Sequence, residues 1–189
     1  IGTVPNVHLQ NAKAFVSNPD AILSPSTEQQ INLLLDSLQT KTSAEVAVVA
    51  VNSIGDADIK QFATALFEHW GIGKREKDNG LLILFVLDQR KITFETGYGL
   101  EGILPDAICK RIQTRYMLPE FKTENYDKGM LQGLNVIYHR LSTPEVQDEL
   151  WVQSQTAQED WGKVLQYYAI TSLLFSIISV SYTHLTLPT

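Results

Sequence analysis

Three features of the sequence predict an α/β fold built on a mixed, mainly parallel sheet. A run of β-branched and alanine residues, Val46 to Val51, is followed by a strongly amphipathic segment from Asp58 to Trp70. The wholly apolar run Leu81 to Leu87 comes next. Strand, helix and strand in this order read as a βαβ unit, with parallel strands and a right-handed crossover expected. The third feature is the short connection Asp88-Gln89-Arg90 into the alternating segment Lys91 to Glu95. A connection that short can only make an antiparallel hairpin, which places this strand toward an edge.

Each further element follows from local chemistry. Residues 1–15 carry no sustained period and contain Pro5, so an extended N-terminal arm is expected. Val16-Ser17-Asn18-Pro19-Asp20 reads as a turn, because Asn and Pro favour that geometry. Ser24 can cap a helix whose first residue, Pro25, has no N–H to leave unsatisfied. Ile31, Leu34, Leu35 and Leu38 then recur at helical spacing. The Asp58 segment buries Ile59, Phe62, Ala63, Leu66, Phe67 and Trp70 on one stripe and ends at Gly71 and Gly73. Another helix is expected from Pro105-Asp106, carrying Ile108 and Ile112. The last runs from Tyr126 to Leu141, with Met130, Leu134, Ile137 and Leu141 on one face. Gly129 and Gly133, four apart in that helix, are expected to pack closely against the sheet.

The texture changes after Leu141. Residues 142–163 are rich in Gln, Glu and Asp and read as a polar linker. Residues 164–180 carry no charged side chain, with Tyr167 and Tyr168 near one end and Trp161 upstream. A membrane-spanning helix needs about 20 such residues, so a short transmembrane helix is expected, with a buried C-terminal helix as the alternative. Residues 181–189 fit neither and read as a non-native tail. A first residue other than methionine points to a mature or truncated form.

Composition narrows the function. Fifteen basic and 21 acidic side chains give a net charge of −6, which does not attract a phosphodiester backbone, so no nucleic-acid partner is expected. The lone Cys109 excludes an intrachain disulfide and reads as a core residue. His8, His69, His139 and His184 show no zinc-ligand spacing. No G-x-S-x-G elbow is present. Gly97, Gly99 and Gly102 match G-x-G-x-x-G literally, but they follow a hairpin strand, and Glu101 would repel a pyrophosphate. Gly71-Ile72-Gly73-Lys74 lacks the spacing of a P-loop. No nucleotide cofactor is expected.

The densest chemistry lies between Lys77 and Asp106. Asp78-Asn79-Gly80 precedes the central strand, and Gly97-Tyr98-Gly99-Leu100-Glu101-Gly102 follows the hairpin strand. Hairpin strands run in opposite directions, so both loops belong to one end of the sheet. Hard cations such as Ca²⁺ or Mg²⁺ take carboxylate and carbonyl oxygens from such loops, and glycines let carbonyls approach. Asp78, Glu101 and Asp106 are the natural ligands, with Asn79 or Glu95 as supplements. The same residues also suit an ordinary turn and a helix N-terminus. Arg90, Lys74 and Lys77 are candidates for pairing with a phosphate beside the metal.

The order of motifs resembles the TPM-domain family. The matching pieces are Val16 to Asp20 with Leu23-Ser24, Trp70 to Gly73, Lys77 to Gly80, Arg90, Glu95 to Gly102, and Leu104 to Asp106. The resemblance defines an α/β domain over residues 16–141 and implies a three-layer α/β/α sandwich. It also implies a divalent-metal site on Asp78, Glu101 and Asp106. Bacterial relatives are exported and tethered by a following transmembrane helix, which implies a periplasmic or extracellular-facing domain here. Two functions are compatible with it. One is an accessory module that binds a membrane-protein partner during assembly or maintenance. The other is a metal-dependent acid phosphatase.

Overall fold

The computed structural model describes residues 4–9, 11, 13–73 and 77–143. The polar linker beyond Thr143, the candidate transmembrane segment and the terminal tail lie outside the described residues. Four strands, β1 (Val16–Ser17), β2 (Glu45–Val51), β3 (Gly80–Val86) and β4 (Lys91–Thr96), form one sheet in the order β1-β2-β3-β4. The first two pairings are parallel and the β3–β4 hairpin is antiparallel, giving the mixed sheet expected.

Strand β1 departs from expectation. Val16 and Ser17, read as the start of a turn, pair with Val48 and Val49, and Val48 N–H donates to Phe15 C=O at 2.8 Å. The turn begins only at Asn18, whose Oδ1 accepts from the amides of Ile22 and Leu23. The N-terminal arm also contains a single 3₁₀ turn, Val7–Leu9.

Helix α1 (Pro25–Thr42) starts at Ser24, whose Oγ accepts from Thr27 N–H, and buries Ile31, Leu35 and Leu38. Helix α2 (Ile59–Trp70) starts at Asp58, whose Oδ1 accepts from Lys60 N–H and Gln61 N–H, both at 3.0 Å. It ends at Gly71 with φ +64°. An Asp58→Ala variant leaves both donors to water and is expected to lose about 1 kcal/mol in a urea titration.

The two helices cover opposite faces. Leu82, Leu84 and Val86 of β3 join Val49 and Val51 of β2 in one core with Ile59, Ala63 and Leu66 of α2. Successive strand residues point to opposite sides, so Phe85 faces the other layer. There its ring meets Phe121 at 4.6 Å and Tyr126 at 5.3 Å. Helix α1 packs in that second layer against α5 (Tyr126–Ser142). Seven residues of β3 are buried on both sides, as its unbroken apolar run requires. The result is an α/β/α sandwich.

The second layer holds a π-helical turn with no sequence signal. Helix α3 (Asp106–Ile112) passes through a π-helical turn, Gln113–Met117, into the short α4 (Leu118–Phe121). This segment, not the sheet, receives the two glycines of α5. A Cβ on Gly129 would stand 2.6 Å from the Phe121 ring and 2.9 Å from Met117 C=O. On Gly133 its three nearest neighbours would be atoms of the Met117 side chain, from 2.6 Å. A thioether chain can move aside, whereas a ring edge and a carbonyl cannot do so cheaply. Gly129→Ala is therefore expected to cost about 2 kcal/mol, and Gly133→Ala under about 1 kcal/mol once helix propensity is credited. Thermal melts of the pair check the order.

Candidate functional site

Antiparallel pairing of β3 and β4 brings the loop before one strand to the loop after the other. Leu81 stands opposite Thr96, and Gly97 N–H donates to Gly80 C=O at 2.8 Å. Asp78 lies directly against the glycine loop. Its Oδ2 accepts from Tyr98 N–H, and its own C=O accepts from Gly99 N–H, both at 3.0 Å. Asp78 holds φ +47°, a left-handed conformation that Asp tolerates better than most residues.

The glycines are required by contact with backbone. A Cβ on Gly97 would sit 2.2 Å from Asp78 C=O, and one on Gly99 only 2.0 Å from Lys77 C=O. Two carbonyl oxygens and one carboxylate are thus gathered where side chains cannot intrude. Tyr98, between the glycines, exposes 78% of its surface.

The other predicted ligands stand differently. Glu101 is exposed and closes the 3₁₀ turn Tyr98–Leu100, its N–H donating to Tyr98 C=O. Asp106 is exposed in the first turn of α3 and lines a groove along β4. Of the supplementary donors, buried Asn79 gives its Nδ2 to Ser43 C=O at 2.8 Å. Glu95 Oε2 lies 2.7 Å from Lys60 Nζ, a charge contact without hydrogen-bond alignment. Among the described residues, no group of three or more His, Cys, Asp or Glu side chains converges to hold a metal ion. A hard cation takes six to eight oxygens; at the Asp78 junction Oδ2 and the Asp78 C=O already accept from Tyr98 N–H and Gly99 N–H, so a cation there would draw most of its ligands from water.

The basic candidates for a phosphate beside this site are not assembled there. Arg90 occupies the opposite end of β4, about 20 Å of extended chain from Gly97. Lys77 Nζ donates to Ser43 Oγ at 3.1 Å, and Lys74 lies outside the described residues.

Cys109 is buried, with Sγ 3.2 Å from Leu104 C=O. Burial first, and the nearby Asp106 charge second, push its thiol up to about 11. A thiol that stays protonated is a poor nucleophile. Alkylation by iodoacetamide at pH 8 is expected to proceed only as fast as the chain unfolds, which mass spectrometry against urea concentration would show.

Sequence reasoning missed the groove beside β4, because the cations that line it are far apart in the chain. It also missed Gln113, whose burial nothing in the local sequence marks.

The sequence profile of the TPM domain matches residues 16–140. Among solved structures, the N-terminal domain of a protein from P. gingivalis is 40% identical. That match covers 74% of this chain and 89% of the other, with a TM-score of 0.70. The BA42 protein of the psychrophile Bizionia argentinensis is 18% identical, with 65% and 83% covered and a TM-score of 0.57. The N-terminal domain of the cg2496 protein from Corynebacterium glutamicum is 14% identical, with 66% and 77% covered and a TM-score of 0.54. At such identities the last two show the fold alone. No curated protein matches. With two thirds of its residues under the profile and a close structural relative, the chain belongs to the TPM-domain family.

Proposed function

We propose that this domain is an extracytoplasmic, membrane-tethered interaction module that assists the assembly or maintenance of a membrane protein. A divalent cation, Ca²⁺ or Mg²⁺, is held at the Asp78 junction. The observation that carries the cation is the convergence of the Lys77 and Asp78 carbonyls and the Asp78 carboxylate on Gly97 and Gly99. Glu101, on the same loop, is the second acidic group within that segment. When bound, such a cation supplies charge neutralisation at Asp78 and a tie between the two loops. The exposed ring of Tyr98 beside it supports contact with a partner. The tether rests on the uncharged run 164–180; among the described residues no helix is long and apolar enough to cross a membrane.

A metal-dependent phosphatase is the competing reading, and a single set of proteins separates the two. Calorimetric titration with Ca²⁺ is expected to show uptake by the parent, its loss in Asp78→Asn and its weakening in Glu101→Gln. The parent is expected to show no turnover of p-nitrophenyl phosphate with either cation. Turnover that requires the metal and disappears with Asp78 would replace the module by the enzyme. Absence of uptake by the parent would remove the cation from the proposal.

A further inference from the structure

The outer edge of β4 forms the floor of an open groove of about 540 Å³ between α2 and the α3–π segment. The phase of the hairpin fixes which backbone groups face into it. Because Gly97 N–H donates to Gly80 C=O, residues 91, 93, 95 and 97 turn their amides toward β3. In an antiparallel ladder these alternate with residues whose N–H and C=O point away. Ile92 and Phe94 therefore present their main-chain groups to the groove. One position confirms this phase: Lys60 Nζ reaches Phe94 C=O from outside at 3.3 Å. Among the described residues, the amides of Ile92 and Phe94 have no other strand beside them, since β4 is the last in the sheet.

Two independent features say what this edge receives. The first is charge. Lys60, Arg90, Lys91 and Lys110 surround the groove, against the single carboxylate of Asp106 among its lining residues. Lys60 is committed to Glu95, which leaves three cations on a protein whose net charge is −6. The second is Gln113. The residue is 93% buried and lines the groove. A primary amide matches the donor–acceptor pair of a peptide unit.

We propose that this groove binds an extended acidic segment of a partner protein, which adds a strand to β4. Its main chain pairs with Ile92 N–H, Ile92 C=O and Phe94 N–H, and with the Gln113 amide. Its carboxylates meet Lys91, Lys110 and Arg90. Strand addition of this kind draws affinity from the backbone and selectivity from the flanking side chains. The inference deepens the interaction-module reading and rests on it, but uses a surface at a distance from Asp78.

The test uses the full chain, ¹⁵N-labelled, and a capped peptide of alternating Glu and Val about ten residues long. Binding is expected to slow hydrogen exchange at Ile92 and Phe94 by about tenfold or more, while Thr93, already paired inward, changes little. Lys91→Glu with Lys110→Glu is expected to weaken binding by about tenfold, and Gln113→Met by about fivefold. A peptide with proline in place of valine keeps every carboxylate but half the amides, and is expected not to bind.

Equal binding of a Lys-Val peptide would overturn the proposal. So would binding that leaves Ile92 and Phe94 unprotected, or displacement by inorganic phosphate alone. Sedimentation as a dimer with both amides protected before any peptide is added would assign the edge to a second copy, and also overturns it. Each titration is run with Ca²⁺ and with EDTA. Lost peptide binding with intact Ca²⁺ uptake sinks the groove alone, whereas metal-dependent phosphatase turnover sinks the module reading.

Discussion

Replacing Gly99 by alanine is expected to lower the unfolding free energy by about 3 kcal/mol, equivalent to about 10 °C in melting temperature. The new methyl carbon would lie 2.0 Å from Lys77 C=O and 3.1 Å from Asp78 C=O, and neither backbone atom can rotate away as a side chain would. Relief requires the Lys77–Asp78 segment to move, which strips the hydrogen bonds from Gly99 and Tyr98 to Asp78. Gly71 is the control. It has φ +64° but nothing within 4 Å of an added Cβ, so Gly71→Ala carries only the left-handed strain of about 1 kcal/mol. Urea midpoints of the two variants separate collision from conformational strain. Equal losses would mean that the contact between the two loops is not rigid. Calcium titration of the Gly99 variant also tests the proposed cation site, because relief displaces the Lys77 and Asp78 carbonyls.

Phe85→Ala is expected to cost about 4 kcal/mol. Phe85 is 2% exposed and sits under both Phe121 and Tyr126, whose own rings are 5.7 Å apart. Truncation removes the sheet's contribution to this three-ring cluster and leaves a cavity beneath α4. Phe121 is also the ring that Gly129 admits, so the loss is expected to spread into the α4–α5 contact. The Phe85→Ala and Gly129→Ala effects are therefore expected to be non-additive in a double-variant cycle, by about 1 kcal/mol. Strict additivity would show that the ring cluster and the glycine contact are independent.

These contacts mark how far the sequence could be read. Helix α2 was legible at both ends, because Asp58 and Gly71 carry the capping chemistry in single residues. Strand β3 was legible because burial on both faces leaves an unbroken apolar run. The meeting of Asp78 with Gly97 and Gly99 followed from hairpin direction alone. Strand β1 was not legible, since two residues cannot display a period and Asn18-Pro19 beside them carries a stronger turn signal. The glycines of α5 announced close packing but not their partner, which is a π-helical turn that continues α3 past any periodic pattern. Gln113 and the cations around β4 come together only through tertiary packing. Arg90 illustrates the reverse error: near Asp78 in motif order, it lies at the far end of the strand.

The arrangement of helices about the sheet has a topological consequence. Strands β1, β2 and β3 are added in one direction, yet α1 and α2 lie over opposite faces. Two successive parallel connections that step the same way over opposite faces must have opposite handedness, so one of the pair runs against the usual right-handed rule. A doubly wound nucleotide-binding sheet covers its second face by reversing the order of strand addition, and its ligand crevice opens at that reversal. Here both faces are clothed by changing hand, and the strand order never turns back. The proposed cation and peptide sites both belong to the β3–β4 hairpin.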